Sequence, residues 1–168
     1  MRWAAGAHGK PRLVPESSLS VNWSHCDGTL LLAVADGTVV GVDLEMPRPL
    51  RRRAALLERA FTASERDALR NTGDARLLLA WALKEALVKA TGRGIAYGLR
   101  NIELDLDSPT PRLSRLDGPA GPAVNWQLQA LAQPDEALAA VAYTGPPRMV
   151  RQFCQELATG GAPVPSSL

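Results

Sequence analysis

Two carboxylates in Gly41-Val-Asp-Leu-Glu45 and a Lys-Glu-Lys set in Trp81-Ala-Leu-Lys-Glu-Ala-Leu-Val-Lys-Ala-Thr-Gly-Arg-Gly94 are the residues best equipped for chemistry. Side chains alternate along a strand, so Asp43 and Glu45 share a face with backbones roughly 6.5–7 Å apart. One hard cation fits between such a pair: Mg²⁺ takes an octahedral oxygen shell built from one or two carboxylates, waters and substrate phosphates. On a helix, Trp81, Glu85 and Lys89 recur every four residues and share a face, with Lys84 and Val88 on the next. Only Lys10, Lys84 and Lys89 are lysines among nineteen Lys and Arg residues. A chain that otherwise uses arginine, yet keeps lysine here, points to a need for a compact, strongly hydrated charge. Together these features suggest a cation and phosphate site. Each also has a plainer reading on its own: a solvated strand end for Asp43 and Glu45, a surface pair worth roughly 0.2–0.5 kcal/mol for Glu85 and Lys89, and simple packing for Trp81.

The elements that must position these residues follow from pattern. Thr29 to Ala35 and Thr38 to Glu45 are rich in β-branched residues and Leu and flank Asp36-Gly37, a two-residue hairpin signal, so an antiparallel pair is expected. Val40, Val42 and Leu44 would form its core face, and Gly41, Asp43 and Glu45 its chemical face. Pro47 and Pro49 end the strand, and Leu50 to Ala60 reads as a short amphipathic helix. Thr62-Ala-Ser-Glu65 is a capping box opening a second helix to about Arg70. Asp74 is placed to cap a third helix through Thr91, with Gly92 as its left-handed terminal residue. Arg100 to Asp107, Ala123 to Ala132 and Ala137 to Thr144 read as strands, the last two joined around Gln133-Pro-Asp-Glu136, and Arg148 to Leu157 as a closing helix. The expected organisation is an irregular lead-in over 1–20, one α+β domain over 21–157 with a long helix packed on a small antiparallel sheet, and a disordered tail over 158–168.

Composition narrows the function classes. A chain of 168 residues with 46% hydrophobic content suits one compact unit. A formal charge of +2 is too mild for a nucleic-acid face. The apolar runs Leu30 to Ala35 and Leu77 to Leu83 fall short of the roughly 20 residues that cross a bilayer. Met1 to Lys10 lacks the apolar stretch of a secretory signal. Cys26 and Cys154 have neither disulfide-framework nor zinc spacing, which fits a reducing cytoplasm.

In order and spacing, Gly9-Lys-Pro11, Asn22-Trp-Ser-His25, Gly41-Val-Asp-Leu-Glu45, Phe61-Thr-Ala-Ser-Glu65 and the segment Trp81 to Gly94 resemble the 4'-phosphopantetheinyl transferase superfamily. The first two segments resemble the C-terminal lobe of the two-lobed class that serves peptide and polyketide synthases, hence secondary metabolite biosynthesis. The resemblance implies Mg²⁺-dependent transfer of 4'-phosphopantetheine from coenzyme A to a serine of an apo acyl or peptidyl carrier protein, releasing adenosine 3',5'-bisphosphate. It implies Asp43, Glu45 and Glu85 as metal ligands, with Glu85 also taking the serine proton directly or through water. Lys89 would stabilise charge on the phosphates, and Lys10, Ser24 and His25 would contact coenzyme A. Cys26 stands where family members commonly carry a small hydroxyl residue, and it is read as a packing residue. Arg48, Arg51, Arg52 and Arg53 would attract an acidic carrier, or form a merely solvated helix face.

Members of the two-lobed class carry another lobe before Gly-Lys-Pro, with the substrate cleft between lobes, where this sequence has only its short lead-in. The expectation is a truncated or decayed relative, or a subunit that rebuilds the cleft as a homo-oligomer and so covers an exposed apolar face. The alternative from another class is a non-catalytic module that binds coenzyme A or a carrier protein, against which the complete Asp43, Glu45, Glu85 and Lys89 set speaks. A metal-dependent nuclease would use the same acids, but the sequence lacks the basic and aromatic surface of a nucleic-acid track.

Overall fold

The computed structural model describes residues 2–5, 11–14, 17–108, 110–133 and 136–156. Along the chain come β1 (Arg2–Ala5), β2 (Pro11–Val14), β3 (Leu19–Cys26), β4 (Thr29–Asp36), β5 (Val40–Glu45), α1 (Arg53–Ala60), α2 (Ala63–Leu69), α3 (Asp74–Thr91), β6 (Ile102–Asp105), β7 (Arg112–Leu116), β8 (Trp126–Leu131) and β9 (Leu138–Thr144). The fold is α+β. At its centre β9 pairs antiparallel with β5 on one side and β8 on the other.

Residue size decides which layer covers each face of this sheet. Register places Gly41 opposite Ala142 and Asp43 opposite Ala140, so one face is paved with small side chains. The main core lies there, and α3 contributes Leu83, Ala86, Leu87 and Ala90 to it. The other face carries Val40, Val42, Val141 and Tyr143, which pack against Leu31, Ala33 and Ala35 of β4. The sheet is thus sandwiched between α3 and the β3–β4 hairpin. Because α3 is buried on almost every side, it is apolar nearly all round, as a central helix must be.

Several sequence expectations are met. Thr62 and Glu65 form a reciprocal capping box on α2, and Gly92 ends α3 in the left-handed conformation at φ 70°. Others are corrected. The strands around Asp36-Gly37 do not pair with one another: β4 pairs with β3, and β5 with β9. The two-residue turn is Asp27-Gly28, both at positive φ, the signature that favours Asp-Gly in a tight hairpin. Nor do the core and chemical faces of β5 separate into dry and wet, since both are covered and Asp43 is itself buried. Asp74 is the first residue of α3 rather than its cap, which is Gly73. Its carboxylate instead accepts from Leu50 N at 2.8 Å and Arg53 Nη1 at 2.7 Å, tying the start of α1 to the start of α3. The lead-in over 1–20 is not wholly irregular, for β1 and β2 pair antiparallel within it; at four residues each they are too short for periodicity to reveal. β7 has no counterpart among the expected strands. No helix forms over 148–156, where Arg148 N donates to the Tyr143 hydroxyl at 3.0 Å just after Pro146 and Pro147. The expected tail, 158–168, lies outside the described residues. Among the described residues no helix is long and apolar enough to cross a membrane.

Candidate active site between β3, β5 and α3

The site is built on a close backbone approach. A β-carbon added at Gly41 would lie 2.8 Å from Ala90 Cα and closer still to Ala86 O and Ala90 N. Only glycine lets α3 settle onto β5 at this depth. Glu85 and Lys89 immediately precede Ala86 and Ala90, while Asp43 lies two residues beyond Gly41. The contact therefore fixes their register, and Lys89 Nζ donates to Asp43 Oδ1 at 2.7 Å.

The opposite wall is a polar ladder on β3. Ser20, Asn22 and Ser24 alternate and point the same way. Ser20 Oγ accepts from Val40 N at 3.2 Å and Asn22 Oδ1 from Val42 N at 2.9 Å. Ser24 Oγ donates to Asp43 Oδ1 at 2.9 Å. Side chains thus replace a backbone ladder between β3 and β5. Buried amides need partners, and this arrangement supplies them while bringing Ser24 to the carboxylate.

Glu45 lies further along β5, where Arg48 Nη1 donates to its Oε2 at 2.7 Å. Glu85 has no hydrogen bond or ion pair among the described residues. Burial pushes its carboxyl above the ordinary range, and the nearby charges of Asp43 and Glu45 push the same way, against Lys89 and Arg59. Glu85 thus feels the charge of both β5 acids. Among the described residues no three carboxylate, imidazole or thiolate groups stand ready as a metal cage. Asp43 is turned to Ser24 and Lys89, and Glu45 to Arg48. The donor chemistry nevertheless suits a hard cation, being all oxygen with an excess of negative charge over the cations that touch it.

The structure thus brings together Asp43, Glu85, Lys89 and Ser24, with Glu45 at the rim. It does not bring His25 to them: alternation turns it to the exposed outer face of the hairpin, away from Ser24. Lys10 lies outside the described residues. Lys84 belongs to the scaffold. Wholly buried, it donates to Glu65 Oε2 at 2.6 Å, Ala60 O at 2.9 Å and Leu99 O at 3.2 Å, and lies over the Phe61 ring. Burial pushes its ammonium pKa down and Glu65 pushes it back up. The arginines expected to act as one face divide. Arg48 pairs with Glu45, Arg53 binds Asp74 and donates to Leu69 O at 2.6 Å, and Arg51 and Arg52 remain exposed. Sequence reading missed the roles of Arg48, Ser20 and Asn22. The alternation of Ser20, Asn22 and Ser24 was the available signal.

An α+β lobe with acids on β5, an outer strand of the central sheet, facing a Lys-Glu-Lys helix across a glycine contact, defines a class. The chain belongs to the 4'-phosphopantetheinyl transferase superfamily, whose family model matches residues 39–142. It is 37% identical over 146 residues to the 4'-phosphopantetheinyl transferase HetI of Nostoc sp., covering 83% of this chain and 59% of the relative. It is 33% identical over 121 residues to the 4'-phosphopantetheinyl transferase psf-1 of Bacillus pumilus, covering 70% of this chain and 51% of the relative. The human L-aminoadipate-semialdehyde dehydrogenase-phosphopantetheinyl transferase is 32% identical over 116 residues, with 60% of this chain and 37% of that protein covered. The chain thus spans about half the length of these relatives.

Proposed function

We propose that this chain transfers 4'-phosphopantetheine from coenzyme A to a serine of an apo acyl or peptidyl carrier protein, in the cytoplasm and in the service of secondary metabolite biosynthesis. The observation that carries the proposal is the Gly41 contact, which sets Glu85 and Lys89 of α3 against Asp43 of β5. Asp43, Glu45 and Glu85 would hold Mg²⁺, which when bound neutralises pyrophosphate charge and orients the leaving group. Glu85 takes the proton of the carrier serine, directly or through one water, and burial raises its carboxyl above the ordinary range, which strengthens it as a base. The serine Oγ forms a bond to the phosphorus bearing pantetheine as the bond from that phosphorus to the bridging oxygen breaks. Adenosine 3',5'-bisphosphate leaves with that electron pair. Lys89 donates to phosphate oxygens as charge builds on them. Ser24 orients Asp43 and lies near enough to the site to meet a coenzyme A phosphate; His25 would contact the donor from outside this cluster, and Lys10 is proposed as a further donor contact.

Exposed Arg51 and Arg52 would steer an acidic carrier. The outer hairpin face leaves Leu30, Leu32 and Val34 between 56% and 59% exposed, which supports self-association into a homo-oligomer. Sedimentation that stays monomeric at every concentration would count against that association.

The test is to incubate the chain with coenzyme A, Mg²⁺ and an apo carrier and to read the carrier's intact mass. A phosphopantetheine adduct that EDTA prevents supports the transferase. The engagement of Asp43 by Lys89 and of Glu45 by Arg48 favours a second reading, a module that binds coenzyme A or a carrier without transfer. It predicts no adduct but calorimetric binding of coenzyme A.

A further inference from the structure

The acids proposed to hold the metal already hold cations of the chain's own. Asp43 Oδ1 accepts from Lys89 Nζ at 2.7 Å and from Ser24 Oγ at 2.9 Å, so that oxygen already serves two donors. Glu45 Oε2 accepts from Arg48 Nη1 at 2.7 Å. Only Glu85 of the three lacks such a partner among the described residues. The Lys89 side chain is 29% exposed, whereas that of Lys84, five residues earlier on the same helix, is fully enclosed. Lys89 can leave its carboxylate without disturbing the core, and Lys84 cannot.

Building on the proposed function, we infer that Lys89 is the resident counter-ion of the site and that cation entry displaces its ammonium from Asp43. An ammonium and a divalent cation on one carboxylate repel across a few ångströms of partly desolvated space. The ammonium is therefore released toward a phosphate only once the cation is in place. This gives the site an order: cation first, anionic donor second. It also explains why no three ligands converge beforehand, since each β5 acid is turned toward its resident base. Arg48 does the same at Glu45 from a position that is 48% exposed, where such pairs are weak and easily exchanged.

The experiment is Mn²⁺ binding, followed by the EPR signal of the free ion without coenzyme A or carrier, on wild type, Lys89→Met, Asp43→Asn and Arg59→Met. Arg59 is an exposed arginine whose charge reaches Glu85 but which sits on no carboxylate of the site. Lys89→Met is expected to tighten Mn²⁺ about ten-fold and Arg59→Met no more than about two-fold, because only the former removes a cation from the ligand itself. Asp43→Asn is expected to lose binding. Independently, ¹⁵N-lysine labelling of a chain with three lysines should show the Lys89 ammonium resonance moving on addition of Mg²⁺ while that of Lys84 stays. Equal Mn²⁺ affinity in wild type and Lys89→Met, or a Lys89 resonance unmoved by saturating Mg²⁺, overturns the inference while leaving the metal site standing. Undiminished binding in Asp43→Asn overturns the metal reading and the inference with it.

Discussion

Replacing Gly41 with alanine tests the packing that assembles the site. The added methyl would lie 2.8 Å from Ala90 Cα and nearer still to Ala86 O and Ala90 N, whereas carbon atoms rest at about 3.5–4.0 Å. Either α3 retreats by about 1 Å or β5 twists away from β9. Overpacking of this kind costs roughly 1–3 kcal/mol, which for a chain of this size lowers Tm by roughly 2–12 °C. The same displacement separates Glu85 and Lys89 from Asp43, and a misplacement of about 1 Å at a reacting centre can cost about 100-fold in rate. Urea denaturation gives the first number and the intact-mass transfer assay the second. Because the opposing atoms belong to the backbone, adding Ala86→Gly or Ala90→Gly should rescue neither; each instead adds about 1 kcal/mol of helix destabilisation. A Gly41→Ala protein with wild-type stability and transfer rate would refute the claim that this contact sets the register of the site.

Lys84→Met should destabilise the chain by about 3–5 kcal/mol in urea, since it strands the buried Glu65 carboxylate without its counter-ion; adding Glu65→Gln should recover part of the loss, and a neutral single variant would contradict the reading. Glu85→Gln should abolish transfer yet stabilise the metal-free protein at neutral pH. The carboxyl is raised in the folded state, so the native chain holds the proton more tightly than the unfolded one, and wild-type stability falls as pH rises from about 4.3 through the raised value. The Tm advantage of Glu85→Gln should therefore grow with pH over that window and shrink when Mg²⁺ is added; a gap independent of pH would argue against it. Asn22→Ala leaves the Val42 amide without its acceptor and should cost about 1–3 kcal/mol, with faster hydrogen exchange at Val42 as the specific sign. Arg51→Glu with Arg52→Glu should raise the apparent KM for the carrier and leave coenzyme A affinity unchanged, and an unmoved KM removes these arginines from docking.

Local signals carried much of the fold. The capping box of Thr62 and Glu65, the left-handed Gly92 and the periodicity of α3 were legible because each depends on residues within a few positions of one another. Strand identity was legible for β4, β5 and β9, but strand partnership was not. Asp36-Gly37 and Asp27-Gly28 carry the same local signal, and only the second closes a hairpin. What decides between them is that Ser20 and Asn22 of β3 satisfy the amides of β5 that face away from β9. No spacing rule within one segment contains that fact.

The candidate site divides along the same line. Alternation and helical repeat placed Asp43 with Glu45 and Glu85 with Lys89 on common faces without reference to any partner, and the family resemblance supplied the roles expected of them. Lys84 and Lys89 looked alike in sequence, both lysines on one helix, and only tertiary structure sent one to the scaffold and the other to the site. One helical face lies against Phe61 and Glu65 and the other against Asp43. Ser24 and His25 were equally adjacent in sequence, and the pleat of β3 drew one inward and turned the other out. Sequence fixes what a side chain can do. The packing of Gly41 beneath Ala86 and Ala90 decides which side chains meet, because depth of approach between a helix and a strand depends on atoms forty-five residues or more apart along the chain.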